Sequence, residues 1–101
     1  MNSKQIADTF KALSDEKRID ILQLLQDGEQ CACVLLEKLN LTQSGLSYHM
    51  KILTGSQIIQ SRQVGKWTYY KISEKHCSNL ITLLKDITRL NDNNKERTIN
   101  E

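Results

Sequence analysis

Three features of the sequence predict a mainly α fold with one β-hairpin. The 101-residue chain has no proline, and helix-forming residues dominate its composition. Apolar residues recur at helical spacing through most of its length. Residues 58–72 instead alternate and then become rich in aromatic and β-branched side chains, around a Gly65–Lys66 turn. A chain of this length is expected to form one domain.

The first two helices are predicted from their apolar spacing and from residues suited to helix ends. A first helix is expected over residues 2–13. Ser14 is the expected N-cap of the second helix, because a serine side chain can accept a hydrogen bond from the first turn. The second helix has a broad apolar face and is expected to end at Asp27–Gly28.

The next two helices predict a helix-turn-helix. The shorter one spans residues 32–39, and Asn40 suits the left-handed conformation that commonly ends a helix. Thr42 is a good N-cap for a helix over residues 43–53. One face of that helix is apolar and another is polar, so the polar face is a candidate for reading a DNA groove.

A β-hairpin and a final helix complete the predicted order α-α-α-α-β-β-α. The hairpin has a basic tip at Gly65–Lys66, and Ser73 is expected to cap a helix over residues 74–90. A helix-turn-helix followed by a basic hairpin is a winged helix-turn-helix. Residues 1–90 are therefore predicted to form a DNA-binding and dimerisation domain. Residues 91–101 have almost no apolar side chain and are predicted to be a flexible tail.

The charge distribution predicts double-stranded DNA as the partner. The net charge is only +2, but residues 38–73 contain basic side chains and no Asp or Glu. A basic segment between acidic flanks is typical of a module that contacts phosphates. For His49, a packed and hydrogen-bonded position is an equal alternative to a phosphate contact. The candidate DNA-binding residues are Gln43, Ser44, Ser47, Tyr48, His49, Lys51, Arg62 and Lys66.

The apolar stripes of the first and last helices predict a homodimer. One small core offers little for both stripes to cover, and a second copy of the chain would bury them. Two-fold symmetry also matches an inverted-repeat operator. No apolar run approaches the ~20 residues that span a bilayer, and no signal peptide begins the chain. A cytoplasmic protein without membrane contact is therefore expected.

No arrangement of residues predicts catalysis. A thiol enzyme needs a base oriented on a cysteine, and neither His49 nor His76 is close in sequence to Cys31 and Cys33. No carboxylate pair or glycine-rich loop offers another chemistry. The sequence therefore predicts neither an enzyme nor a permanent cofactor.

Three segments resemble the ArsR/SmtB family of winged helix-turn-helix repressors: ALSDEKRIDILQLL, EQCACVLLEKLNLTQSGLSYHMKIL and SRQVGKWTYYKIS. The resemblance covers residues 6–90 and implies a homodimeric repressor that leaves operator DNA when a metal or metalloid binds. In the arsenic-responsive branch, a Cys-x-Cys-x-x-Cys pattern begins the helix before the recognition helix. Cys31 and Cys33 match its first two positions, and Leu36 stands in the third.

The sequence departs from the family at two further places. Another branch binds zinc through Asp, His and Glu side chains of the last helix, but here Asp86 has no histidine near it. That zinc site is therefore not expected. Relatives usually have Gly before the first hairpin strand, where this chain has Gln57. The turn at that position is expected to be altered.

Two thiols favour a thiophilic inducer over zinc, because zinc prefers four ligands. Trivalent arsenic and antimony favour three sulfur ligands, whereas a methylated or arylated arsenic needs two. With Leu36 in the third position, Cys77 or an external thiol would have to complete a three-sulfur site. The expected inducer is therefore As(III), Sb(III), an organoarsenical or another thiophilic ion such as cadmium.

Helix geometry suggests how binding would reach the DNA. On one intact helix, the side chains of Cys31 and Cys33 would point about 200° apart. Chelation would then require the first turn to unwind, which would tilt the recognition helix. The helix dipole is expected to favour a Cys33 thiolate, opposed by Glu29. Two alternatives stay open, namely that the thiols sense oxidants or that they are small buried core residues.

Overall fold

The computed structural model describes residues 1–91 and has the architecture of a winged helix-turn-helix. The predicted helices and hairpin are confirmed, in the predicted order. The expected tail over residues 91–101 lies outside the described residues, except for Asn91. The elements are α1 (Ser3–Leu13), α2 (Glu16–Leu25), β1 (Gln30–Cys31), α3 (Ala32–Leu39), α4 (Gln43–Gly55), β2 (Ile59–Val64), β3 (Trp67–Ile72) and α5 (Glu74–Thr88). Within residues 1–91, no helix is both long and apolar enough to cross a bilayer.

The cap of α2 differs from the prediction. Asp15, not Ser14, is the N-cap, and its carboxylate accepts hydrogen bonds from the backbone N–H groups of Lys17 (2.8 Å) and Arg18 (3.2 Å). Ser14 instead ends α1, where its N–H donates to the carbonyl oxygen of Lys11. A carboxylate at an N-cap also interacts favourably with the helix dipole, which explains why the acidic residue takes this position.

The turn between α3 and α4 has the predicted chemistry. Asn40 ends α3 in the left-handed conformation, with φ of 53° and ψ of 44°. The hydroxyl oxygen of Thr42 accepts a hydrogen bond from the N–H of Gly45 at 3.0 Å, and α4 begins at Gln43. The left-handed conformation of Asn40 and the cap formed by Thr42 together determine the direction in which α4 leaves α3.

A short third strand, β1, joins the predicted hairpin. β3 lies in the centre of the antiparallel sheet and pairs with β1 on one side and β2 on the other. Cys31 of β1 and Arg62 of β2 both lie opposite Tyr69 of β3. The sequence analysis missed β1 because two residues are too few to show an alternating pattern. The strand places Cys31 at the junction between the sheet and α3.

The buried core holds the helix-turn-helix together. α3 contributes Leu35 and Leu39, and α4 contributes Leu46, Met50 and Leu53. These side chains interlock with residues of α1, α2 and the start of β2, so α3 and α4 cannot shift independently without loss of packing. By contrast, no residue of α5 is buried in the single chain.

The turn before β2 holds a glutamine in a conformation that favours glycine. Gln57 has a φ of 70°, and a left-handed backbone costs a residue with a Cβ about 1–2 kcal/mol. Its N–H donates to the carbonyl oxygen of Thr54 at 3.0 Å, and its side chain is exposed. The backbone geometry of the turn, rather than a side-chain contact, therefore constrains this position.

We expect Gln57→Gly to raise the free energy of unfolding by about 1 kcal/mol, because it removes the steric cost of the left-handed conformation. Urea denaturation followed by circular dichroism measures the change. Gln57→Ala is the matched control and should give no gain, because alanine carries the same Cβ. Equal stabilisation by both substitutions would contradict the explanation.

Candidate DNA-binding surface and thiol site

The polar face of α4 is open to solvent. The five residues predicted to enter a DNA groove from this helix are all exposed, and Tyr48 retains 62% of its accessible surface. Because the opposite face of α4 carries Leu46, Met50 and Leu53 into the core, the orientation of the helix is fixed. The five exposed residues are Gln43, Ser44, Ser47, Tyr48 and Lys51.

His49 lies at the boundary between these two faces and contacts Arg18 of α2. Its Nδ1 atom is 3.1 Å from Nη1 of Arg18. Because a guanidinium only donates, Nδ1 must accept, and the ring proton is then on Nε2. A packed, hydrogen-bonded position was one of the two alternatives for His49. The Nδ1 atom is in such a position, because it contacts Arg18.

Arg18 is a buried clamp that the sequence analysis did not single out. It is only 8% exposed, and it donates from Nε to the carbonyl oxygen of Ala12 at 2.7 Å and from Nη2 to that of Lys11 at 3.2 Å. One guanidinium therefore joins the end of α1 to His49 of the recognition helix. A basic residue in the first turn of an amphipathic helix gives no signal for this role, since most such residues are solvated.

The wing carries the two remaining predicted DNA contacts in different environments. Lys66 is exposed at the turn, with its Nζ atom 5.4 Å from the ring centroid of Trp67. Arg62 instead forms a bidentate ion pair with Glu29, with Nε–Oε2 at 2.8 Å and Nη2–Oε1 at 2.6 Å. Its guanidinium also lies 5.0 Å from the ring centroid of Tyr69. The pair lowers the pKa of Glu29 because the guanidinium stabilises the carboxylate.

The two thiols of β1 and α3 do not lie on one helix, so the predicted opposed orientation is wrong. Cys31 has extended backbone angles (φ −68°, ψ 144°) and is the N-cap of α3, whereas Cys33 lies within the first turn. The Sγ atom of Cys31 accepts a hydrogen bond from the N–H of Cys33 at 3.3 Å. α3 begins at Ala32, as predicted, and Cys31 just before it pairs with Tyr69 in the sheet.

The acidity of the two thiols is the reverse of the expectation that Cys33 would be the thiolate. A hydrogen bond from the Cys33 side chain lowers the pKa of Cys31, and the N–H groups of the first turn of α3 act in the same direction. The same interaction raises the pKa of Cys33, together with repulsion from the Cys31 thiolate. The hydrogen bond from Cys33, together with the N–H groups of the first turn, therefore makes Cys31 the preferred site of negative charge.

The structure does not bring a third ligand to this pair. Leu36 packs against the buried core, and so does Cys77 of α5. Burial raises the pKa of Cys77. Within residues 1–91, no group of three or more His, Cys, Asp and Glu side chains is arranged to hold a metal ion. Among residues 1–91, the thiols that lie close together are therefore Cys31 and Cys33.

The outer helices expose a broad apolar surface. Phe10 of α1 is 41% exposed, and four large apolar side chains from the middle of α5 to just beyond its end are 45–59% exposed. Exposed apolar area of this extent, on a helix with no buried residue, is typical of a surface that another chain covers. The four residues are Ile81, Leu84, Ile87 and Leu90.

Comparisons with known proteins agree on one family. A family model described as "Bacterial regulatory protein, arsR family" matches residues 15–61. An arsenical resistance operon repressor of Bacillus subtilis is 42% identical over 74 residues, which cover 72% of this chain and 70% of that protein. An arsenical resistance operon repressor of Staphylococcus aureus is 36% identical over 91 residues, which cover 90% of this chain and 88% of that protein.

Two solved structures extend the similarity to the fold. The homodimeric winged helix-turn-helix DNA-binding domain of a possible ArsR-family transcriptional regulator from Mycobacterium bovis aligns with a TM-score of 0.69 at 25% identity, over 83% of this chain and 78% of that chain. HlyU from Vibrio cholerae aligns with a TM-score of 0.69 at 30% identity, over 86% of this chain and 95% of that chain.

We expect Arg18→Met to lower the free energy of unfolding by about 2–3 kcal/mol, because hydrogen bonds from a buried charged group are lost and their acceptors are left unpaired. Denaturant titration measures the loss. Lys17→Met is the matched control, since Lys17 is the exposed neighbour in the same turn, and it should change stability little. A similar loss in both variants would rule out the clamp.

We expect iodoacetamide to alkylate Cys31 with a pH midpoint below that of Cys33, because the reactive thiolate of Cys31 forms at lower pH. Rates from peptide mass spectrometry across a pH series give the two midpoints. In Cys31→Ser, the midpoint of Cys33 should fall, because the repelling thiolate is gone. A lower midpoint for Cys33 in the unmodified protein would contradict the assignment.

Proposed function

Because the chain belongs to the arsR family of bacterial regulatory proteins, we propose that it is a repressor that binds its operator as a homodimer and leaves it when trivalent arsenic or antimony binds Cys31 and Cys33. The observation that carries the proposal is the position of this thiol pair at the start of α3, the helix that precedes the recognition helix and shares its buried core. Two relatives are named as arsenical resistance operon repressors, which supports a metalloid inducer.

DNA binding uses α4 in the major groove and the wing beside it. Gln43 and Ser44 in the first turn are suited to base edges, with Ser47, Tyr48 and Lys51 on the same exposed face. Lys51 and the wing residues contact phosphates, which sets affinity rather than sequence preference.

His49 has a separate part in DNA binding. Because its Nδ1 atom accepts from Arg18, its Nε2–H is the group that donates to a phosphate. One residue then satisfies both alternatives of the sequence analysis, packing through one nitrogen and contacting DNA through the other.

Dimerisation uses the exposed apolar faces of α1 and α5. Covering Phe10 and the apolar residues of α5 by a second copy removes several large side chains from water. A two-fold dimer also presents two recognition helices and two wings to an inverted repeat. The homodimeric Mycobacterium bovis structure supports this arrangement by its similarity.

The thiol pair transmits binding through its role as a helix cap. A metalloid shared by Cys31 and Cys33 fixes the position of the Cys31 sulfur atom, which accepts the Cys33 N–H at 3.3 Å, so the first turn of α3 adjusts. Because Cys31 already lies outside the helix, this adjustment is smaller than the unwinding expected from an intact helix. α3 shares the buried core with α4, so a change at its start alters the tilt of the recognition helix. Release requires several kcal/mol of differential affinity.

Two donors from one chain define the chemistry of the inducer. An arsenic atom with one methyl or aryl group is satisfied by Cys31 and Cys33 alone. Inorganic arsenite or antimonite needs a third sulfur, which an external thiol or Cys77 supplies. Cadmium and an oxidant are the competing inputs, because both also act on paired thiols.

We expect the double variant Cys31→Ser, Cys33→Ser to bind DNA normally and to lose release by arsenite. Serine also caps helices, so the variant keeps the start of α3 while losing the soft ligands. An operator is first selected from a pool of random DNA duplexes and labelled with a fluorophore. Fluorescence anisotropy of this duplex then measures release of the protein during titration. The compounds titrated are arsenite, antimonite, phenylarsine oxide, cadmium, zinc and peroxide.

Cys77→Ser is the matched control in this experiment. Normal release of that variant by arsenite assigns the third sulfur to an external thiol, and loss of release assigns it to Cys77. Release of the double variant by arsenite would contradict the proposal. Release by cadmium or peroxide in preference to arsenite would assign the input to the corresponding alternative.

A further inference from the structure

One row of side chains crosses the sheet from the thiol site to the wing. Cys31 of β1, Tyr69 of β3 and Arg62 of β2 are directly opposite one another. Residues opposite each other in antiparallel strands point to the same face of a sheet. The Arg62 guanidinium lies over the Tyr69 ring at 5.0 Å, in agreement with this placement. The row therefore joins the thiol strand to a basic residue of the wing.

Glu29, which precedes Cys31 by two residues, forms an ion pair with Arg62 at the other end of the row. Its carboxylate holds Nε and Nη2 of Arg62 at 2.8 and 2.6 Å. In this arrangement the Glu29 carboxylate neutralises the charge of Arg62, which is one of the basic residues of the wing. The Arg62 side chain is 57% exposed and that of Glu29 is 27% exposed, so both partners are accessible to a competing ion.

We propose that Glu29 competes with a DNA phosphate for Arg62, and that this ion pair connects the thiol pair to the wing. The second part rests on the proposed function. With the pair closed, the wing contributes little to DNA affinity. With Arg62 transferred from Glu29 to a phosphate, the wing adds one contact per subunit.

The exchange is chemically and energetically reasonable. A carboxylate and a phosphate offer a guanidinium the same planar, bidentate arrangement of oxygens. Exposed ion pairs contribute little to stability, so a phosphate that approaches Arg62 can displace Glu29. Tyr69 contacts the guanidinium in the closed pair and keeps it on the same face of the sheet. Arg62 thus changes partners without leaving the wing.

The ion pair of Glu29 and Arg62 is connected to the thiols through the backbone of β1. Glu29 immediately precedes β1, whose residues Gln30 and Cys31 are paired with Tyr70 and Tyr69. A ligand shared by Cys31 and Cys33 fixes the short segment that carries Glu29. The carboxylate is then held at Arg62, and the wing loses its phosphate contact. This adds a wing component to release, separate from any tilt of α4.

The first test uses ligand-free protein and Glu29→Gln, which keeps the shape of the side chain and removes its charge. The probe is a fluorescein-labelled mixed-sequence duplex of about 30 base pairs, titrated at several salt concentrations from roughly 50 to 300 mM, because phosphate contacts do not depend on sequence. We expect binding about three- to tenfold tighter at each salt concentration, because Arg62 no longer has to leave a carboxylate to reach a phosphate. The single tryptophan, Trp67, reports contact of the wing with DNA by its fluorescence.

Two controls isolate the ion pair from a general effect of charge. Glu37→Gln removes an exposed acid from α3 that forms no ion pair among residues 1–91, and it should change affinity less than twofold. In an Arg62→Gln background, Glu29→Gln should have no effect beyond that of Glu37→Gln. Equal effects of the two glutamate substitutions, or weaker binding by Glu29→Gln, would overturn the competition.

The second test adds phenylarsine oxide, an arsenical with two positions for thiols, to protein bound to the selected operator. For each protein, the measured quantity is the operator affinity without the arsenical divided by the affinity with it. We expect this ratio to be at least threefold smaller for Glu29→Gln than for the unmodified protein. An unchanged ratio would overturn the connection to the thiols. If the unmodified protein shows no response to the arsenical, the connection and the proposed inducer both fail, while the competition measured without ligand still stands.

Discussion

The pairing of Cys31 with Tyr69 in the sheet governs how the two DNA-reading elements relate to the thiol pair. It holds the backbone of Cys31 in an extended conformation, so the residue ends a strand and caps a helix at once. The sheet leads from that point to the wing, and α3 leads to the core under the recognition helix. In the proposed function, a ligand at one sulfur atom would therefore act on the DNA-reading elements by two separate routes.

Local chemistry was predictable from the sequence wherever a few neighbouring residues decide the structure. Asn40 and Thr42 behave as expected because a left-handed helix end and a hydroxyl N-cap need only the adjacent turn. The error at Ser14 is also local, because Asp15 is an equally short polar side chain and its charge gives it the advantage. Sequence spacing cannot separate two such neighbours.

The candidate site was predicted less completely because its key contacts join distant parts of the chain. Arg18 and His49 are 31 residues apart, and Glu29 and Arg62 are 33 apart. No periodicity relates such positions. The relative pKa values of the two thiols were also misjudged, because the largest influence on each is its hydrogen bond with the other.

The absence of any buried residue in α5 has a consequence for gene regulation. In the proposed homodimer, the second copy covers the apolar face of α5, so the order of this helix would follow the law of mass action. Repression by such a dimer would depend on the square of the protomer concentration when protomers are scarce. A cell that makes little of the protein would then hold its operators open, and a modest rise in synthesis would close them steeply, without any change in the proposed inducer.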